Sequence, residues 1–164
     1  MEKEKSKIPE NFTLQMAIMD TLPVIFFCVA LVIMTHRFNN PLFLTGGTIV
    51  VLAGALKVIW KLIIAIKKQN IYIFNYQLHI LMPIGFILML IAVIFNFTKI
   101  FTNYFFDRIS SFPTLLFFIM GILCMIKMAL LAKNTDNDNA KANWVEQGIN
   151  SLGQACFLLG ILFF

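Results

Sequence analysis

Asp20, Lys57, Lys61, His79, Lys127, Glu146, Gln147, Asn150 and Gln154 interrupt segments that are otherwise apolar enough to cross a membrane. Ionisable groups at membrane depth are expensive, so they face a protein interior or a water-filled cavity and mark the default functional site. Three of these lysines stand against two carboxylates, which leaves one positive charge with His79 neutral. A pocket built from them favours an anion such as a carboxylate or phosphate. His79 beside Asp20 or Glu146 would also provide an acid–base pair, although a histidine at a helix start is more simply a capping or interfacial residue.

Other chemistry finds little support. His36 and His79 fall at opposite membrane surfaces, which argues against a bis-histidine haem. A zinc site needs three or four converging ligands, and only His79, Asp20 and Glu146 share one depth. No Gly-x-Ser-x-Gly elbow occurs, so a serine nucleophile has no obvious seat. Cys28, Cys124 and Cys156 are single, without a Cys-x-x-Cys pair, and read as small buried hydrophobes. No catalytic residue, metal or cofactor is therefore assigned, and the balance leans against an enzyme.

The elements that carry these residues follow from composition. The chain has 164 residues, 60% of them hydrophobic and only 13% charged, with 18 Phe. Ordinary soluble domains are about a quarter charged. A hydrocarbon core about 30 Å thick needs roughly 20 helical residues per crossing. Segments of that length lie at about 14–35, 42–66, 78–97, 112–132 and 143–164. The expected fold is an all-α integral membrane protein: an N-terminal segment 1–13, then one domain, 14–164, forming a bundle of five transmembrane helices.

Local signals place the ends. Thr13 is a natural N-cap, and Pro23 should bend the first helix near Met19 and Asp20 by removing a backbone N–H. Asn40 followed by Pro41 opens the second helix, where Gly46, Gly47 and Gly54 permit close helix approach. Residues 71–76, rich in aromatics, suit an interfacial segment. The connector 99–111 spaces Phe101, Tyr104, Phe105 and Ile109 for a short surface helix, with an ordinary loop as the alternative. The run 133–141 reads as a solvated turn, since its Asp136-x-Asp138 lacks the glycine of a calcium loop.

Counting 1.5 Å per residue from the helix ends brings the scattered polar residues within roughly 5 to 17 Å of one membrane surface. On the last helix, Asn143, Gln147, Asn150, Ser151 and Gln154 form one narrow stripe at 100° per residue. Such a stripe is either glue between helices or a wall offering donors and acceptors to a ligand. Lys57 lies deepest and is expected to find a buried partner in Asp20 or Glu146. Lys61 and Lys127 are expected to snorkel, their stems reaching back to water.

The net charge of +5 does not point to nucleic acid, because the basic residues are scattered over connectors and helix ends without a basic stripe. With alternating sides, Lys3, Lys5, Lys7, Lys61, Lys67, Lys68, Lys127, Lys133 and Lys141 fall at or near one surface, and Arg37, Lys99 and Arg108 at the other. That asymmetry predicts a cytoplasmic N-terminus and an outside C-terminus, in a multi-pass protein of a prokaryotic plasma membrane. Membrane lipids are the expected surroundings, and a homo-oligomer or a membrane-protein partner is compatible with the pattern.

Three readings of function follow. The first is a binding or transport protein whose slightly cationic pocket, in the cytoplasmic half, holds an anionic or amphipathic small molecule or a lipid headgroup. The second is an accessory or structural subunit whose polar layer locks helices or docks a partner. The third is a membrane-embedded enzyme using His79 with Asp20 or Glu146.

Overall fold

The computed structural model describes residues 13–100, 102–134 and 140–164; the N-terminal lysines and the polar turn around Asp136 and Asp138 lie outside them. Every regular element among the described residues is a helix: α1 Leu14–Met19, α2 Thr21–Phe38, α3 Pro41–Lys67, α4 Tyr72–Tyr76, α5 Leu78–Phe95, α6 Phe97–Ile100, α7 Asn103–Ser110, α8 Thr114–Asn134 and α9 Ala140–Phe163.

The caps stand where the residue types call for them. Thr13 Oγ1 accepts from the Met16 N–H at 3.3 Å. Asn40 Oδ1 accepts from the N–H groups of Leu42 at 2.8 Å and Phe43 at 3.1 Å, and Pro41 follows at the first helical position, where its missing N–H costs nothing. The preceding residue, Asn39, closes α2 in the left-handed conformation at φ 45°, which Asn tolerates better than most side chains. The break between α1 and α2 falls at Asp20. Pro23 has no N–H to offer the Met19 carbonyl four residues earlier, and the Thr21 hydroxyl donates to the Ile18 carbonyl at 2.5 Å beside it.

Four stretches, Leu14–Phe38, Pro41–Lys67, Tyr72–Phe95 and Thr114–Leu131, are long and apolar enough to cross a membrane. The chain is thus a multi-pass integral membrane protein in architecture. The remaining long helix, α9, has 24 residues and is long enough by the same measure, about 36 Å. Glu146, Gln147, Asn150 and Gln154 lower the hydropathy of its first half, and it is not among the four.

The helices pack in the order α5, α3, α2, α9, α8, with α1 lying against both α3 and α9. α5 and α8 are the outer members, with 11% of each span buried, against 33% for α1 with α2 and 39% for α3. The buried residues of α3 (Phe43, Gly46, Gly47, Val50, Ala53, Gly54, Val58, Lys61 and Ile64 among them) recur every three or four positions, the spacing of one helix face. α3 and α5 cross at Gly46 and Gly85. A Cβ on Gly46 would stand 2.7 Å from the Gly85 carbonyl oxygen, and one on Gly85 the same distance from the Gly46 carbonyl oxygen. Only glycine lets the two backbones approach this closely.

Two core clusters stand at the two ends. Trp60 and Ile64 pack with Phe74 at one; Leu31, Phe43 and Ala92 pack with Phe38 and Met89 at the other. α9 joins the ends. Gln147, near its start, lies beside Lys61, and Phe164, beyond its last residue, lies under the Arg37 guanidinium.

Candidate functional site

Asp20 sits at the α1–α2 break, in phase with Met16 and Pro23, which are also buried. Four- and three-residue steps keep these side chains on one helical face, so the carboxylate points into the bundle. Lys61 meets it there. Gly47 contacts Leu31, Gly54 contacts Val24, and Lys61, seven residues further on, has its Nζ 2.5 Å from Asp20 Oδ2. The contacts form an antiparallel ladder between α3 and the α1–α2 strand of the fold, and the lysine occupies its last rung.

Gln147 of α9 completes the group. With its amide oriented to satisfy both neighbours, Nε2 donates to the Met16 carbonyl at 3.0 Å and Oε1 accepts from Lys61 Nζ at 2.8 Å. The choice of orientation follows from the surrounding donors and acceptors. Asp20, Lys61 and Gln147 are 6%, 5% and 4% exposed, so the three are closed off together. The buried charges are paired and the amide bridges the lysine to a backbone carbonyl, which offsets the cost of burial away from water.

The expected division of labour between the lysines is therefore reversed. Lys61 does not snorkel: it is buried and holds the carboxylate. Lys57, one turn deeper, is only half-buried and has no ion pair among the described residues. Depth was a poor guide because what matters is the helix face. Lys61 shares the heptad register of Gly47 and Gly54, and that register turns it toward α1. This spacing was the sequence signal for the correct lysine.

The other expected site residues separate into two groups. Glu146, Asn150 and Gln154 are half-buried on α9, and Glu146 and Lys57 are both close enough to act electrostatically on Lys61. His79 and Lys127 are exposed, on the outer helices α5 and α8. The structure thus brings Asp20, Lys61 and Gln147 into contact, sets Lys57 and Glu146 within electrostatic reach of Lys61, leaves Asn150 and Gln154 half-buried further along α9, and leaves His79 and Lys127 exposed. Among the described residues, no group of three or more His, Cys, Asp or Glu side chains is arranged to hold a metal ion.

Gln77, which sequence reasoning passed over, also ties helices together. Its Nε2 donates to the Ala53 carbonyl of α3 at 3.1 Å and to the Phe74 carbonyl at 2.9 Å. Nearby, Trp60 Nε1 donates to Asn70 Oδ1 at 2.9 Å. An amide at the junction of an interfacial segment and a span was the available hint for Gln77. Compared with known proteins, the chain matches no family model, no curated protein and no solved structure.

Proposed function

We propose that this protein is a structural or accessory membrane subunit in which the polar layer is primarily a lock between helices. The observation that carries this reading is the buried set Asp20, Lys61 and Gln147, drawn from the α1–α2 break, α3 and α9 and held together by an ion pair and by the Gln147 amide. A transport site must exchange its partners with a passing ligand, whereas these groups are sealed against each other. The extent of α9, from the level of Lys61 to that of Arg37, supports a fifth crossing. The lysine bias then places the N-terminus in the cytoplasm and the C-terminus outside. A prokaryotic plasma membrane remains part of the proposal.

A second reading is favoured by polar groups of α3 and α9 outside the lock. Lys57, Asn150 and Gln154 are half-buried, and the hydroxyl of Ser151, buried on the Gln147 face, has no hydrogen-bond partner among the described residues. These groups suit a polar crevice for an anionic or amphipathic small molecule. The enzyme reading finds less support, since Asp20 is engaged by Lys61 and His79 is exposed on an outer helix, which leaves Glu146 as the carboxylate it would use.

Purification in mild detergent, followed by mass spectrometry of what remains bound, separates the two. The accessory reading expects a stoichiometric protein partner, and Asn150→Leu with Gln154→Leu should leave the bound material unchanged. A stoichiometric small molecule lost in that double variant, with the melting temperature preserved, would replace the accessory reading by the crevice.

A further inference from the structure

At the end of the bundle opposite Lys67 and Lys68 lies a cavity of about 590 Å³, within the usual range for small-molecule sites. Arg37 at the end of α2 and Arg108 on α7 both line it, together with Asn96, Thr102 and Tyr104. Its remaining walls are aromatic or aliphatic, Phe105 and Phe164 among them, and among the described residues no acidic side chain lines it. This is the only place among the described residues where both arginines of the chain converge.

Each guanidinium is steadied by a ring and not by a carboxylate. The Arg37 guanidinium carbon lies 5.2 Å from the centre of the Phe164 ring. That of Arg108 lies 5.3 Å from the centre of the Tyr104 ring, and Arg108 Nε donates to the Tyr104 hydroxyl at 3.1 Å. Stacking of this kind uses the face of the guanidinium and leaves edge N–H donors for a planar or tetrahedral oxyanion. Neither arginine has an ion pair among the described residues. Two such forks facing one cavity are the arrangement that recognises phosphate.

Position supplies the rest of the ligand. Arg37 stands at the end of a span, where headgroups lie. On α7, Tyr104 and Phe106 are 64% and 53% exposed, the pattern of a helix lying in the interface. The apolar walls continue from the arginines to Leu162 and Phe163 at the end of α9. A cationic mouth with an apolar continuation fits an amphipath with an anionic head. We propose that this cavity binds the phosphate of an anionic lipid headgroup, with Arg37 and Arg108 as the paired ligands.

The test uses the full-length protein in nanodiscs and compares phosphatidylglycerol with phosphatidylcholine by native mass spectrometry of retained lipid. Wild-type protein should retain phosphatidylglycerol preferentially. Arg37→Gln and Arg108→Gln should each reduce that preference roughly tenfold, the weight of one charge-assisted contact; Lys57→Gln should not change it. Millimolar inorganic phosphate should not displace the lipid; displacement would overturn the headgroup assignment in favour of free phosphate. Equal retention by wild type and the double arginine variant would overturn the site itself. If the arginine variants fail to fold, a photoactivatable phosphatidylglycerol on wild-type protein decides: labelling on α7 and at the end of α9 supports the site, and labelling confined to the Lys67 and Lys68 end refutes it. The Asn150 and Gln154 variants should leave lipid retention intact, which separates this result from that of the crevice reading.

Discussion

Lys61 and Lys57 are the same residue type, one turn apart on α3, yet their environments differ enough to predict opposite outcomes. Removing one member of a buried ion pair leaves the other charged and unsolvated, at a cost of about 3 to 5 kcal/mol. Lys61→Met should therefore lower thermal stability in detergent sharply. Lys57→Met should cost less than about 1 kcal/mol, the scale of a partly solvated charge. Removing both members with Asp20→Leu and Lys61→Met should recover part of the loss, because no isolated charge remains. A thermal melt of the four proteins checks the order, and equal effects at the two lysines would contradict it. Gln147→Leu should cost about 1 to 3 kcal/mol, since Lys61 and the Met16 carbonyl each lose a partner. Asn150→Leu, at a half-buried position, should stay within about 1 kcal/mol by comparison.

Among the elements, the α3–α5 crossing is set by close backbone approach, and the glycines differ in what they permit. The obstacles to a side chain at Gly46 are the Gly85 carbonyl oxygen at 2.7 Å and the Met89 nitrogen at 2.9 Å. Backbone cannot swing aside as a rotamer can. Gly46→Ala should therefore force the helices apart and cost about 1 to 3 kcal/mol, as overpacking does. Gly148, exposed on α9, has nothing within 4 Å of its would-be Cβ. Gly148→Ala should be neutral or stabilise by up to about 1 kcal/mol, through helix propensity alone. Melting curves of the pair measure both effects in one background.

Over the whole molecule, the helices form a sequence of neighbours with α5 and α8 at its two ends. Their exposed residues are largely Ile, Leu, Phe and Met, which lipid accommodates without penalty. Lys127, on α8 close to the end of its span, fits this surface as a snorkelling side chain. The proposed fifth crossing makes a prediction at this scale. A reporter fused after Phe164 should be active only outside the cytoplasm, and one fused at the N-terminus only inside. Activity of both on the same side would reduce the crossings to an even number and return α9 to a re-entrant or surface helix.

By itself the sequence determined the local features, because they depend on neighbours in the chain. Runs of apolar residues set the long helices to within a few positions. Thr13, Asn40 and Pro41 act on backbone groups two or three residues away, and Pro23 on a carbonyl four away. The aromatic spacing of 99–111 suggests the short helix found at 103–110, with a loop as the alternative, whereas 71–76 reads only as an interfacial segment and its helix at 72–76 was not legible. The position of each polar residue along its helix was legible too, since it needs only a count from the helix end. Which of them touch was decided by tertiary structure. Contact depends on the rotation of each helix about its axis and on which helices are neighbours, and neither is encoded by depth. Asp20 and Gln147 meet Lys61 and not Lys57 because the Gly47, Gly54 and Lys61 register packs against α1 and α2. The arginine cavity was invisible in the sequence for the same physical reason: Arg37 and Arg108 are 71 positions apart, and only the return of α9 and the folding of α7 over the bundle end bring them to one space.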